Sequence, residues 1–141
     1  MAMKNSIVYS TFFLTSILIL ASSFSGSKPS ELAKLMKQMQ SYIEKEKMRL
    51  ADGEKQEPLT VSLQKVLKSK ATKGKKLSHD HEQYARDFYE QYNRYIGVAD
   101  MQERKQVFNL LVNSCINCHK HECPGPIVRI EKSLYHNAKE Q

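Results

Sequence analysis

Two cysteines and a histidine near the end of the chain have the spacing of a haem-attachment site. Residues 115–119 read C-I-N-C-H, so Cys115 and Cys118 are three positions apart and His119 follows directly. Two thiols at this spacing form thioethers to the two vinyl groups of one haem, and the adjacent imidazole becomes the proximal ligand of the iron. We therefore expect one covalently bound haem c, held by Cys115 and Cys118, with His119 on the iron.

Other chemistries use the same residue types, and two of them stand as alternatives. A structural zinc ion is the first, although zinc sites in short segments usually join two separated ligand pairs. Its ligands would be Cys115, Cys118, Cys123 and either His119 or His121. A dithiol oxidoreductase is the second, but such a pair normally begins a helix, where the helix dipole lowers the pKa of the first thiol. We expect Cys123 itself to be a buried thiol rather than half of an intermolecular disulfide.

The beginning of the chain has the order of a secretory signal peptide. Lys4 precedes an apolar stretch at 7–21, and small residues follow at 22–27. A membrane span needs about 20 apolar residues, and this stretch is shorter and interrupted by serine and threonine. We therefore expect residues 1–25 to be a cleaved signal peptide and residues 26–141 to be one periplasmic domain. Membrane attachment is expected only if the signal segment stays uncleaved.

The remaining sequence predicts an all-α fold. The chain has 5 Gly, 4 Pro and 26% charged residues, a composition that suits helices better than a turn-rich β-fold. Apolar residues at spacings of three and four predict helices over 30–52, 78–96 and 100–123, with a weaker segment at 59–67. Short connections between four helices suggest an up-down-up-down four-helix bundle, with a short final helix or turn after residue 127.

Individual residues mark the predicted helix ends and faces. Ser30 is a good N-cap for the first helix, and Gly53 follows its last turn. Ser78 is the predicted cap of the third helix, and Asp100 with Glu103 forms the capping pattern of the fourth. The predicted buried face of the third helix is Tyr84, Phe88, Tyr92 or Tyr95, and Ile96.

On the fourth helix the three residues of the motif share one face. Positions i, i+3 and i+4 of an α-helix point the same way, so Cys115, Cys118 and His119 would hold a haem flat against that helix. Cofactor sites of helix bundles are usually built in the bundle core. The sequence therefore predicts a haem along the last main helix, facing the apolar side of the first.

A helical chain with this motif near its end resembles the cytochrome c′ family and its low-spin relatives, which are exported monohaem four-helix bundles. The likeness covers residues 30–123. Its most specific part is C-I-N-C-H at 115–119, and L-A-K-L-M-K-Q-M at 32–39 supports it. Glu122 and Cys123 differ from the family pattern, which has an aromatic and a basic residue after the ligating histidine.

The resemblance implies that a side chain of the first helix faces the distal side of the haem. This side chain is methionine in six-coordinate electron carriers and an apolar blocker in five-coordinate gas binders. Met36 is the best match and the expected distal ligand, since Met/His ligation raises the reduction potential. Met39 is its competitor one turn later, and His79 or His81 is a further alternative.

We therefore expect an electron-carrying protein, not an enzyme. The alternative within the same resemblance is a five-coordinate binder of nitric oxide or carbon monoxide, in which Met36 only shields the haem. The net charge is +7, with six lysines and no acidic residue over 65–76, which favours an acidic redox partner. No base-stacking or recognition motif accompanies the lysines, so nucleic acid is not an expected partner. The resemblance also allows a homodimer formed through the first helices.

Overall fold

The computed structural model describes residues 28–136, and in this range the protein is all-α, as predicted. Its helices are α1 (Glu31–Asp52), α2 (Leu63–Lys68), α3 (His81–Gly97), α4 (Met101–Glu122) and α5 (Ile127–Glu131). The predicted signal peptide, residues 1–25, lies outside the described residues. Across residues 28–136, no helix is both long and apolar enough to cross a bilayer.

Helix α1 begins and ends where the sequence predicts. The Ser30 hydroxyl accepts a hydrogen bond from the Ala33 N–H at 3.1 Å, which satisfies a free donor of the first turn. Gly53 follows the last turn with a φ of 72°, and its N–H donates to the Arg49 carbonyl. The buried residues of α1 are Leu32, Met39, Ile43, Glu46 and Leu50. Because they are three, four or seven positions apart, one face of α1 packs against the rest of the protein.

Helices α3 and α4 form an antiparallel hairpin, and their contact is the most extensive between helices of the described residues. Only residues 98–100 connect them. Near this connection the rings of Tyr95 and Phe108 lie 5.7 Å apart. At the opposite end, the rings of Tyr84 and His121 stack at 5.1 Å. The beginning of α3 therefore lies beside the end of α4, where the C-I-N-C-H motif is located.

Helix α4 is the central helix of the core. The Asp100 carboxylate accepts from the Glu103 N–H at 2.8 Å, which confirms the predicted N-cap. Its buried apolar residues are Val107, Phe108, Leu111, Val112 and Ile116, each at most 6% exposed. The buried Arg104 guanidinium donates to the carbonyls of Glu54 at 2.8 Å and Ala99 at 3.1 Å. These two bonds hold the connection after α1 and the connection after α3 against α4.

The segment 59–70, which contains α2, runs in the direction opposite to α1 and α3. Near its beginning, the Leu59 N–H donates to the Tyr92 hydroxyl at 3.0 Å, late in α3. Near its end, the Lys70 carbonyl accepts from the Leu32 N–H at 3.2 Å, at the start of α1. Helix α2 covers six residues of this segment, so the weaker helical pattern of the sequence forms only a short helix.

Two details of α3 differ from the sequence prediction. The helix begins at His81 rather than after Ser78, because the Ser78 hydroxyl and N–H both donate to the Glu122 carboxylate of α4. Ile96 is 37% exposed, whereas Tyr95 is buried. Each step of four residues rotates about 40° past a full helical turn, so a face predicted at a constant spacing of four drifts toward solvent. The prediction of Ile96 in the core was therefore wrong.

Candidate functional site

The last turns of α4 bring all three residues of the C-I-N-C-H motif to the wall of one cavity, here named the main cavity. Cys115, Cys118 and His119 line it together. Helix α4 ends at Glu122, and the prolines at 124 and 126 follow directly. Because proline lacks a backbone N–H and restricts the residue before it, this sequence stops the helix just beyond the motif.

The main cavity lies between α1, α3 and α4, and most of its lining is apolar. Its volume is about 60 Å³, which is below the usual range for cofactor sites, so its residues and not its size bear on what it binds. The lining includes Cys115, Cys118 and His119 of α4, Met36, Met39 and Ile43 of α1, and His81, Tyr84 and Phe88 of α3. Met36 and Met39, the two candidate distal ligands of the sequence analysis, therefore line the same cavity as the motif.

The His119 imidazole is held in one tautomer. The residue is 8% exposed, and Nδ1 lies 3.1 Å from the Cys123 carbonyl oxygen. Because a carbonyl only accepts hydrogen bonds, Nδ1 carries the proton in the neutral imidazole, and the lone pair is then on Nε2. Histidines that bind metals usually have such a second hydrogen bond, which orients the ring and raises its basicity. In this tautomer Nε2 is the ring atom of His119 that could bind a metal.

The two thiols of the motif are protonated at neutral pH. Burial raises the pKa of Cys115 to about 12, with a smaller contribution from the neighbouring Cys118. Burial also raises the pKa of Cys118 to about 12, and the Glu122 carboxylate adds to this effect. A dithiol redox centre needs the opposite, a thiolate stabilised by positive charge or by a helix N-terminus. The surroundings of these thiols therefore argue against the dithiol alternative.

The sulfur and nitrogen atoms of residues 115–123 do not converge on one point. In residues 28–136, no group of three or more histidine, cysteine or acidic side chains is placed to hold a metal ion. His121 is exposed, stacks on Tyr84 and does not line the main cavity. Cys123 is half-buried, with Sγ 3.3 Å from Nδ1 of His119. A tetrahedral zinc site needs four converging ligands, so this geometry gives the zinc alternative no support.

A second cavity of about 140 Å³ shares part of its wall with the main cavity. The residues that line both are Met36, His81, Cys118 and His119. Each of them carries a sulfur or nitrogen atom of the kind that binds transition metals. Lys75, from the loop between α2 and α3, also lines the second cavity. The shared wall therefore combines sulfur and nitrogen side chains from three helices, next to a basic loop.

The two histidines at the beginning of α3 have different surroundings. His79 is exposed and lies 3.3 Å from the Asp80 carboxylate. His81 lines both cavities, and both of its ring nitrogens are buried. His81 is one turn before Ala85 and two turns before Phe88, both buried on the same face. This helical spacing is the signal by which the sequence distinguishes His81 from His79, and the sequence prediction did not use it.

Glu122 belongs to the same region and has no marker in the sequence. It is 7% exposed, and its carboxylate accepts hydrogen bonds from the N–H of Ser78, at 3.1 and 3.2 Å, and from the Ser78 hydroxyl. The two residues are 44 positions apart in the chain. Their contact holds the loop before α3 against the second cavity, which Glu122 also lines.

Comparison with known protein families, with curated proteins and with solved structures finds no match for this chain. The described residues define an all-α domain with an apolar cavity lined by cysteine, histidine and methionine side chains. The function must therefore be inferred from these residues and their geometry.

Proposed function

We propose that this chain is an exported monohaem c-type cytochrome that carries single electrons. The observation that supports the proposal most directly is the apolar main cavity, which Cys115, Cys118 and His119 line together. Cys115 and Cys118 would hold haem c through two thioethers, and Nε2 of His119 would bind its iron. The haem supplies the one-electron exchange, whereas the protein supplies the ligands, the burial and the orientation.

The chemistry of the lining fits such a group, and α1, α3 and α4 would move apart to admit it. An apolar macrocycle is compatible with walls formed by side chains such as Ile43 and Phe88. The two thiols lie on the same wall as His119, whose free Nε2 is the atom that a proximal ligand must offer. The Cys123 carbonyl keeps the proton on Nδ1 of that ring. In a cavity of low polarity, the ligands and their hydrogen bonds set the reduction potential.

We also propose that the domain is a four-helix bundle with a shortened second helix. The chain reverses direction between α1 and the segment 59–70, again before α3, and again before α4. This alternation supports the up-down-up-down order expected from the sequence. The second position would be filled by the six residues of α2 and the extended chain on either side of them.

The basic loop between α2 and α3 supports an acidic redox partner. Lys73, Lys75 and Lys76 are exposed on it, and Lys75 lines the second cavity beside Cys118 and His119. Positive charge at the mouth of a buried redox site accelerates encounter with an acidic protein. The acidic partner is therefore proposed to approach at this loop.

Expression of the full chain with a haem-maturation system tests the proposed function. Mass spectrometry of the denatured protein should show a product without its signal peptide and with the added mass of one haem. Replacement of both Cys115 and Cys118 by alanine should abolish covalent attachment, because no thioether is then formed. Asn117→Ala is the matched control, since Asn117 is exposed and lies between the two cysteines.

A folded chain that carries no haem after passage through the maturation system would contradict the proposal. Covalent haem with a high-spin spectrum that shifts on addition of nitric oxide would instead support the gas-binding alternative. Low-spin haem that is reduced and reoxidised reversibly is the expected result for an electron carrier.

A further inference from the structure

His81 has surroundings that the proposed haem attachment alone does not explain. It is the first residue of α3, and both of its ring nitrogens are buried. Within residues 28–136, neither nitrogen has a hydrogen-bond partner. Burying a polar atom without a partner is unfavourable, and such atoms in folded proteins often mark a ligand, an ion or a catalytic role.

The position of His81 relates it to the motif on α4. His81 lines the main and the second cavity from the α3 side, and His119 and Cys118 line the same two cavities from α4. The hairpin contact between Tyr84 and His121 holds the beginning of α3 next to the end of α4. Two imidazoles on different helices therefore border one apolar space, as a pair of axial ligands must.

The positions of the two methionines of α1 are explained by apolar packing, whereas the buried ring nitrogens of His81 lack any partner in the described residues. Met36 and Met39 line the main cavity, and both pack against or within the apolar core. A thioether is satisfied by apolar packing and needs no hydrogen bond, so these positions are explained without a ligand. His79 is excluded as the source of a nitrogen ligand because it is exposed and contacts Asp80.

We propose that the His81 imidazole, rather than the Met36 thioether, is the second axial ligand of the haem iron. This inference rests on the proposed function, since it requires haem on Cys115 and Cys118. It extends that function in two ways. A protein ligand on the second side closes the iron to gases, which favours electron transfer over gas binding. Replacement of a methionine by a histidine ligand also lowers the reduction potential, because Met/His ligation raises it.

Absorption and electron paramagnetic resonance spectra of the matured full-length protein test the inference. The ferric wild type should be low-spin and should lack the sulfur-to-iron band that methionine ligation produces. His81→Ala should become high-spin in the ferric form and bind carbon monoxide in the ferrous form, with the mass of covalent haem unchanged. Added imidazole should restore its low-spin spectrum, which shows that loss of the ligand, not of the fold, caused the change.

A histidine-to-methionine exchange and two controls complete the experiment. His81→Met should give a low-spin protein with the sulfur band and a reduction potential above that of the wild type. His79→Ala, an exposed neighbour, and Met36→Ala should both keep the low-spin spectrum of the wild type. A wild-type sulfur band that Met36→Ala or Met39→Ala removes, or a high-spin wild type, would overturn the inference. Absence of covalent haem from the wild type would instead overturn the proposed function, and the mass measurement separates the two failures.

Discussion

The hydrogen bond from His119 to the Cys123 carbonyl is the single interaction that most restricts the chemistry of the cavity. It joins Nδ1 to a backbone oxygen at 3.1 Å, so the tautomer of His119 does not depend on the Cys123 side chain. The thiol of Cys123 is half-buried and 3.3 Å from the same nitrogen. A haem protein and a zinc protein would use this thiol differently, since only the second needs it as a ligand.

We predict that Cys123→Ser leaves the covalent haem and its spectrum unchanged. The backbone carbonyl that orients His119 is retained, and serine has nearly the same size as cysteine. Mass spectrometry and absorption spectra of the matured variant measure both properties. A wild-type chain that binds one zinc ion, which Cys123→Ser then abolishes, would contradict the haem assignment and support the zinc alternative.

Glu46 is a buried carboxyl group distant from the motif. It is 1% exposed, and it accepts hydrogen bonds from the Tyr95 hydroxyl at 3.0 Å and the Glu57 N–H at 3.2 Å. Burial raises the pKa of Glu46, and these two hydrogen bonds oppose the effect only in part. The folded protein therefore binds the Glu46 proton more tightly than the unfolded chain does.

This raised pKa predicts how stability changes with pH. The contribution of Glu46 is largest below its unfolded pKa of about 4.3 and is lost as the pH rises through the higher folded pKa. Glu46→Gln should remove this loss, so its free energy of unfolding, relative to the wild type, should increase between about pH 4 and about pH 7. Urea denaturation across that range measures the difference. Glu44→Gln on the exposed face of α1 is the control, and equal pH profiles for Glu46→Gln and the wild type would contradict the prediction.

The ends of α1 show how far local sequence determines an element. Ser30 caps the helix through a contact with a residue three positions away, and Gly53 ends it by adopting a left-handed conformation. Both interactions lie within a few residues of the chain, which is why the sequence predicted both ends correctly. The beginning of α3 was predicted wrongly because Ser78 bonds to Glu122, a residue that only the folded chain brings near.

We predict that Gly53→Ala lowers the free energy of unfolding by about 1 kcal/mol, the cost of a left-handed conformation for a residue with a Cβ. The added Cβ would lie 3.9 Å from Met101, an ordinary contact, so the cost comes from the backbone and not from a clash. Gly97→Ala at the end of α3 is the matched control. Its φ is not positive, and no atom lies within 4 Å of the added Cβ, so its stability should stay equal or rise slightly. Urea denaturation measures both variants, and equal losses would show that the backbone conformation of Gly53 is not the cause.

At the scale of the whole molecule, the basic loop between α2 and α3 contributes to the wall of the second cavity. The chain carries a net charge of +7, and Lys75 lines the second cavity, beside Cys118 and His119. The positive charge is therefore positioned beside the proposed redox site and not only spread over the surface. Its effect on association should depend on ionic strength, because salt screens exposed charges beyond about 8 Å at physiological concentration.

We predict that Lys75→Glu slows reduction of hexacyanoferrate(III), an anionic acceptor, by about 2- to 5-fold at low salt. The difference should disappear at high salt, and the rate with a cationic acceptor should rise instead. Stopped-flow kinetics of the matured protein measure these rates. Lys45→Glu is the control, since Lys45 is exposed on α1 away from both cavities and the change in net charge is the same. Equal effects of the two variants would contradict a role for the loop.

Local sequence was sufficient to predict the all-α class, the ends of α1, the start of α4 and the shared helix face of Cys115, Cys118 and His119. These features depend on caps and on helical periodicity, which act over a few residues. Three contacts became visible only in the folded chain: His81 borders the same cavities as His119, Glu122 holds the loop at Ser78, and the Cys123 carbonyl orients the imidazole. The first two of these contacts join distant parts of the chain, and the third depends on how the chain turns after α4 ends. Packing of the helices creates the first two contacts, and no local pattern shows which helices will pack together.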